Sequence, residues 1–307
     1  MALTYNQISA ITEKKFIPKL YDNIFDSGPI LKRSQTKGWY NKIDGGERIV
    51  VPLAYATTTA SGWYSGSDTL STEDNEQITA AEYLWKQLYA NITVTSLDEK
   101  KNSGGTRVLD FVKEKTKLAE KTLKDLLSAG VYSDGSTAKE IVGLRDIVAT
   151  DQTVGGISQT DNTWWAGQVD SATTTLTIAA MRAILSSATV DNERPTVISA
   201  TRANFDRYHA LLQPQERFQD KDTANGGFAN LLFAGVPIVV DSKCPANHIF
   251  FINENHISFK VHKDEDMKFE PFQKPNNQNV KTAKVYWMGA FTSSNNRLLG
   301  KLSAITA

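Results

Sequence analysis

The sequence predicts an α+β fold, and three patterns lead to that expectation. Apolar and polar residues alternate with the period of a strand over 49–55 and again over about 81–95. A long apolar stripe with helical spacing occupies 106–129. Beyond it, shorter helical segments alternate with buried strand patterns. Strands therefore flank one long helix and also form a separate α/β region.

Composition places the chain among ordinary globular proteins. It has 307 residues, 40% of them hydrophobic and 22% charged, which corresponds to roughly two domains of about 150 residues. The 34 basic and 34 acidic side chains cancel, so net charge indicates no class of partner. The longest uncharged apolar run, 231–240, is half the length of about 20 residues that a membrane span needs. Residues 1–30 carry charges and lack a secretory pattern, which predicts a cytoplasmic protein that contacts no membrane.

The N-terminal third predicts an arm followed by a long hairpin. A short helix is expected near 7–20, and Pro52 marks the strand at 49–55 as an edge strand. The connecting segment 56–79 is rich in Thr, Ser and Gly and has no Lys or Arg. Its acidic residues are Asp68, Glu73, Asp74 and Glu76. Because an isolated two-stranded hairpin is marginally stable in water, it must lie on its own domain or on a neighbouring copy.

The long helix is predicted from Thr106, a capping residue, to the position before Gly130. At about 1.5 Å per residue it is roughly 35 Å long. Its apolar stripe includes Val108, Phe111, Val112, Leu118, Ala119, Thr122, Leu123, Leu126 and Leu127. The outer face carries Lys113, Lys115, Lys117, Lys121 and Lys124 beside several acids. That face is either solvated or in contact with nucleic acid.

The remaining residues predict a compact α/β region and then a return of strands. Helices are expected at 174–188 and 201–212, and strands at 195–199, 232–240, 248–252, 257–261, 280–288 and 298–305. The polar segment 213–230 is expected to be a mobile loop. No internal repeat is visible.

No residues are assigned to catalysis, cofactor binding or metal binding. The four histidines do not give a metal-ligand spacing, and the single Cys244 is interpreted as a packed residue. No Gly-rich phosphate loop and no nucleophile elbow occur. An enzyme would need His209, His256 and Asp264 to converge around a pocket, which stays open as an alternative.

Several stretches, in this order and spacing, resemble the major capsid proteins of tailed bacteriophages, which have the Hong Kong 97-type fold. They are Ser133-Asp134-Gly135, 141–148 (IVGLRDIV), 154–157 (VGGI), Trp164-Trp165, 194–198 (RPTVI), 233–241 (FAGVPIVVD), Cys244-Pro245 and 249–253 (IFFIN). The resemblance covers nearly the whole chain.

The resemblance implies a division of the chain into four parts. An N-terminal arm would cover 1–45, and an extended β-hairpin loop 46–95. A peripheral domain would combine 96–140 with 248–290 and contain a spine helix at 106–129. An α/β axial domain would combine 141–247 with 291–307.

The implied function is architectural: copies of the chain would assemble through hexamers and pentamers into an icosahedral shell around double-stranded DNA. The protein would be located in the virion and assembled in the host bacterial cytoplasm. A separate scaffolding protein, a portal and a possible decoration protein would be its partners. Interface residues would include the four hairpin acids, which are expected to dock on a basic patch of a neighbour. Trp85, Trp164 and Trp165 are the other interface candidates, with packing as the first interpretation of Trp164 and Trp165.

Weak contact with packaged DNA is expected from the spine helix, through Lys113, Lys117, Lys121 and Lys124. A nanocompartment shell of the encapsulin type is the nearest alternative, because it shares the fold. A phage tail-tube or adaptor protein and a cytosolic α/β enzyme are the alternatives from other classes.

Overall fold

Helices and strands follow one another in short segments around one long helix. The computed structural model describes residues 28–101, 105–212, 231–276 and 278–306. The helices are α1 (Pro29–Thr36), α2 (Ser96–Lys101), α3 (Gly105–Gly130), α4 (Leu144–Ile147), α5 (Ile178–Ser187) and α6 (Arg202–Leu212). Single 3-10 turns lie at Thr163–Trp165 and Asn296–Leu298.

The strands run from β1 to β15 over the same residues. They are β1 (Tyr40–Ile43), β2 (Ile49–Ala54), β3 (Ile78–Tyr83), β4 (Lys86–Thr95), β5 (Thr153–Val154), β6 (Ile157–Ser158), β7 (Gln168–Asp170), β8 (Val197–Ala200), β9 (Leu232–Phe233), β10 (Val236–Val240), β11 (Ile249–Ile252), β12 (Ile257–His262), β13 (Lys268–Gln273), β14 (Val280–Ser293) and β15 (Gly300–Leu302). The predicted α+β class is confirmed.

A five-stranded sheet packs against the long helix. Its order is β1-β12-β14-β13, and β4 pairs with residues 280–289 of β14 on the edge opposite β13. Strand β1 is parallel to β12, and the other pairs are antiparallel. Helix α3 buries Ala119, Leu123 and Leu127, which are four residues apart and therefore lie on one face. The prediction of a helix over 106–129 is confirmed. Helix α3 covers that range and one further residue at each end.

The predicted single strand at 81–95 is wrong, because the chain changes partner in its middle. Strand β3 pairs with β2, whereas β4 pairs with β14 over ten residues. Ala81 and Tyr83 are buried in β3, but Ala90 and Ile92 are buried in β4, so the buried parity switches from odd to even. Side chains alternate strictly along a strand, and such a switch requires a break, which falls at 84–85.

The second sheet contains six strands in the order β7-β15-β11-β8-β10-β9. Strands β8 and β11 are central, and every residue of both is buried. Such strands are covered on both faces and therefore read as continuous apolar runs. Helix α5 is capped by Thr177, whose hydroxyl accepts a hydrogen bond from the Ala180 N–H at 3.1 Å.

Two apolar clusters divide the interior. The larger lies between the five-stranded sheet, α3 and one face of the six-stranded sheet, where Val197, Phe250 and Ile252 contribute. The smaller lies between α5, α6 and the other face, where Ile198 and Phe251 contribute. The central strands of the six-stranded sheet therefore belong to both clusters and hold them together.

The four-part division of the chain stays a prediction. The strands are divided between the two large sheets at positions that differ from its bounds. Strand β11 lies in the six-stranded sheet, whereas 248–290 was expected to complete the peripheral domain. Strand β14 continues to Ser293 in the five-stranded sheet. The chain thus passes from the six-stranded sheet to the five-stranded sheet after Ile252, and returns to the six-stranded sheet after Ser293. Strands β1 and β13 were not expected from the sequence. The predicted arm helix near 7–20 and the predicted loop at 213–230 lie outside the described residues.

Candidate assembly interface

The base of the β2–β3 hairpin is fixed to the body by hydrogen bonds. Tyr83, which is buried, donates its hydroxyl proton to the Ser293 carbonyl and accepts from the Ser293 N–H, both at 3.1 Å. The Glu82 N–H donates to the Gly155 carbonyl at 2.8 Å. Gly155 has φ +61, and a Cβ there would come within 2.7 Å of Ala81. A glycine is needed at this close approach.

Beyond the base, backbone and side-chain hydrogen bonds hold the two arms of the hairpin together as far as Thr59. The Tyr55 N–H donates to the Gln77 carbonyl at 3.0 Å. The Asn75 amide donates to the Thr57 carbonyl at 3.1 Å, and its oxygen accepts from the Thr59 N–H at 3.2 Å. The Tyr55 ring stacks on Trp164 with centroids 4.9 Å apart. This ring contact joins the first arm of the hairpin to the 3-10 turn at Thr163–Trp165.

The tip of the hairpin, residues 61–74, is exposed throughout. The four predicted acids Asp68, Glu73, Asp74 and Glu76 are exposed in and beside it, and none of them has an ion-pair partner among the described residues. Asp68 accepts a hydrogen bond from the Ser65 N–H at 2.8 Å, which closes a local turn. The acids are thus brought together on one projecting segment and leave their charges unneutralised.

The sequence reasoning missed the apolar residues of the same tip. Trp63 is fully exposed, Tyr64 is 68% exposed and Leu70 is 59% exposed. Single exposed apolar residues are common, but three large ones within eight residues of one loop make this tip a candidate interaction site. The signal was present in the sequence, because an adjacent Trp-Tyr pair is unusual in a segment of Thr, Ser and Gly.

The three predicted tryptophans have different environments. Trp85 is half-buried where β3 ends, and its indole N–H donates to the Gly46 carbonyl at 2.8 Å. Trp164 is half-buried under Tyr55. Trp165 is 1% exposed and donates to the Val154 carbonyl at 3.0 Å. The structure corrects the interface expectation at Trp165 to a packing role, because its ring has no surface left for another copy.

The predicted DNA-facing lysines lie along α3. Lys117 and Lys121 are exposed and one helical turn apart. The backbones of Lys113 and Lys124 belong to the same helix, and their side chains lie outside the description. Two of the four predicted side chains therefore form one exposed basic strip, and their contact with DNA stays a prediction.

A buried polar network joins the end of α3 to the six-stranded sheet. The Tyr132 hydroxyl lies 2.6 Å from the Ser199 hydroxyl and donates to the Asp241 carboxylate at 3.1 Å. Burial raises the pKa of Asp241 and raises the pKa of the Cys244 thiol well above its usual range. A thiol in that environment is protonated and unreactive, which agrees with the interpretation of Cys244 as a packed residue.

Two of the residues proposed for the enzyme alternative, His256 and Asp264, have local structural partners. His256 contacts Glu193 through Nε2 at 2.7 Å and Ser294 through Nδ1 at 3.0 Å. Glu193 is mostly exposed, so solvent screens this contact, which ties the turn at 190–193 to the end of β14. Asp264 lies in the turn after β12, where its N–H donates to His262.

Within the described part of the chain, no group of three or more His, Cys, Asp or Glu side chains has the arrangement of a metal site. None of its helices combines the length and the apolar character that crossing a membrane requires.

Comparisons with known proteins identify the fold. The capsid of cyanophage A-1(L) matches at a TM-score of 0.65 with 18% identity, covering 89% of this chain and 93% of that one. The capsid of a native GTA particle matches at 0.61 with 12% identity, covering 89% and 90%. The SrpI encapsulin of Synechococcus elongatus PCC 7942 matches at 0.58 with 12% identity, covering 89% and 87%. No protein-family profile and no curated protein matches the sequence. The chain has the Hong Kong 97-type fold that the sequence predicted.

Proposed function

We propose that this chain is a major capsid protein, an architectural rather than catalytic protein whose copies close into an icosahedral phage shell. The observation that carries the proposal is the likeness to the cyanophage capsid, which extends over 89% of this chain and 93% of that one. So complete an overlap leaves no large segment of the described fold to form a separate catalytic domain.

The hairpin supports the proposal independently of the likeness. The described residues leave the acids and the aromatic rings of this segment exposed, so its apolar surface is not buried among them. A neighbouring copy would cover it, as the division into arm, extended loop, peripheral domain and axial domain supposes. The exposed acids, Trp85 and Trp164 are the proposed interface residues.

The finer parts of the proposal concern partners. Copies would group as hexamers and pentamers, with a separate scaffolding protein, a portal and a decoration protein as candidate partners. The shell would enclose double-stranded DNA, which would contact Lys117 and Lys121 weakly. The protein would reside in the virion. Zero net charge is consistent with weak binding, because tight binding to DNA needs many phosphate contacts.

Electron microscopy of the expressed protein, combined with sedimentation, tests the proposal. We expect closed shells, alone or with co-expressed phage proteins, that sediment far faster than a 33.9 kDa chain. A chain that stays a monomer at all concentrations, with and without crowding agent and with phage proteins present, would refute the shell function.

A nanocompartment shell is the second candidate, favoured by the match to the SrpI encapsulin. Contents distinguish the two. Particles isolated from the natural source should contain nuclease-protected double-stranded DNA if the chain is a capsid protein. Protein cargo without nucleic acid would favour the nanocompartment.

A further inference from the structure

A polar cleft of about 390 Å³ lies where the chain leaves α1 and meets β12 and the end of β14. Its walls come from 37–39, which follow α1, from 254–258 before and at the start of β12, and from 292–294 around the end of β14. Asn41 and Lys260 also line it. At about 30 Å³ per water molecule the cleft has room for roughly thirteen waters, enough for a tetrahedral oxyanion and a group attached to it.

Two lysines give this cleft a positive charge that the described residues do not neutralise. Lys37 and Lys260 both line it, and neither forms an ion pair with another described residue. Glu254 lines the cleft too, but Arg33 holds its carboxylate through hydrogen bonds of 2.9 and 2.8 Å. Because that pair is balanced, the two lysines make the cleft attractive to an anion.

Two buried polar groups of the lining have no hydrogen-bond partner among the described residues. They are the indole N–H of Trp39, a residue that is 4% exposed, and the hydroxyl of Ser293, which is 1% exposed. Buried polar groups in native proteins are nearly always paired, because an unpaired one loses its contact with water without compensation. Two such groups at one cleft indicate that a ligand completes the site.

The indole N–H decides the chemistry of that ligand. An indole nitrogen donates a hydrogen bond and cannot accept one, so the ligand must present an acceptor. The ammonium groups of the lysines also only donate, and they favour an acceptor that is negatively charged. These donors belong to different segments, those that follow α1 and those in β12 and β14, and therefore approach from several sides. A tetrahedral oxyanion offers acceptor oxygens in several directions, whereas a carboxylate is planar.

We propose that this cleft binds a phosphate group, which accepts hydrogen bonds from the Trp39 indole and the Ser293 hydroxyl and pairs with Lys37 and Lys260. The proposal goes beyond shell formation and does not depend on it. A phosphate bound here links the end of α1 to β12 and β14. It also stabilises the joint to the hairpin, because Tyr83 is hydrogen-bonded to the backbone of Ser293.

Equilibrium dialysis of the purified chain against labelled inorganic phosphate measures the site directly, at constant ionic strength set with sodium chloride. The variant K37Q/K260Q removes both charges from the cleft. K100Q/K274Q is the matched control, since both of its lysines are exposed and lie outside the cleft. We expect saturable binding by the parent, about ten-fold weaker binding by K37Q/K260Q and a change of less than about two-fold in the control. No saturable binding by the parent, or equal weakening in the two variants, would overturn the proposal.

Ser293→Ala separates a binding role of the hydroxyl from a structural one. The change removes only the unpartnered group and leaves both backbone hydrogen bonds to Tyr83 in place. Without phosphate, thermal unfolding should give the Tm of the parent, whereas phosphate binding should weaken about five-fold, as expected for the loss of one hydrogen bond. Binding equal to that of the parent would overturn the assignment of the anion to this cleft, whatever the Tm.

Competition in the same dialysis identifies the chemical source of the phosphate. A short DNA duplex that displaces the labelled phosphate assigns the site to a nucleic-acid backbone, and a duplex that displaces none assigns it to the free ion. Acetate at the same concentration should displace much less label than unlabelled phosphate does. Equal displacement by acetate would overturn the preference for a tetrahedral oxyanion.

Discussion

Replacing Tyr83 by Phe removes one oxygen atom from the joint between the hairpin and the body. The ring keeps its packing, so the change isolates the two hydrogen bonds to Ser293. Tyr83 is 3% exposed, and water has little access to replace the lost hydroxyl. The Ser293 N–H and carbonyl therefore lose a buried partner.

The expected cost follows from that burial. A buried polar group left without a partner costs about 1–3 kcal/mol, and two weakly compensated groups give about 2–4 kcal/mol. Burial also raises the pKa of Tyr83 from 10.0 to about 12. The folded state thus holds this proton more tightly than the unfolded state. The contribution of the protonated Tyr83 hydroxyl to the free energy of unfolding is complete below pH 10. It is lost as pH rises to about 12, by up to about 3 kcal/mol.

Urea unfolding of the dissociated chain measures both effects, with Tyr89→Phe as the control because Tyr89 is exposed. We expect the free energy of unfolding of Tyr83→Phe to be lower by about 2–4 kcal/mol at pH 7, and that of the control to change by less than about 0.5 kcal/mol. The variant should also lose less stability than the parent between pH 10 and 12. If Tyr83→Phe matches its control in both tests, the hydrogen-bonded joint does not stabilise the hairpin base.

Three further predictions concern packing, pH and charge. Trp165→Ala should lower the free energy of unfolding by about 3–5 kcal/mol in urea titrations, because it empties a buried site; a loss under 1 kcal/mol would contradict the packing role. Burial, with Arg145 and Lys301 nearby, lowers the pKa of His248 from 6.5 to about 4. The neutral ring therefore contributes stability above pH 6.5 that is lost as pH falls to about 4. In the same titrations, the free energy of unfolding of His248→Gln should fall less on acidification than that of the parent. An acid profile equal to that of the parent would contradict this assignment. Neutralising the four hairpin acids with Ser or Asn should lower assembly yield and flatten its salt dependence in light-scattering assays, and unchanged values would exclude the acidic tip from the interface.

Local patterns were sufficient for the elements whose burial follows a simple period. The stripe that ends at Leu127 located α3, and the apolar run at 249–252 located β11. The acids of the hairpin were also readable, because a long segment without basic residues is visible in the sequence. Parity over 81–95 was misleading, since alternation reports burial and carries no information about which strand is the partner.

The sequence by itself determined the α+β class, the long helix, the acidic hairpin and the order of segments that resembles a capsid protein. The tertiary structure decided that β4 leaves the hairpin for β14, that Trp165 is enclosed and that Leu118 and Leu126 are exposed. The physical reason is that periodicity records how many faces of an element are apolar. Which of those faces meets the body of the chain depends on contacts between residues far apart in sequence, such as Tyr83 with Ser293.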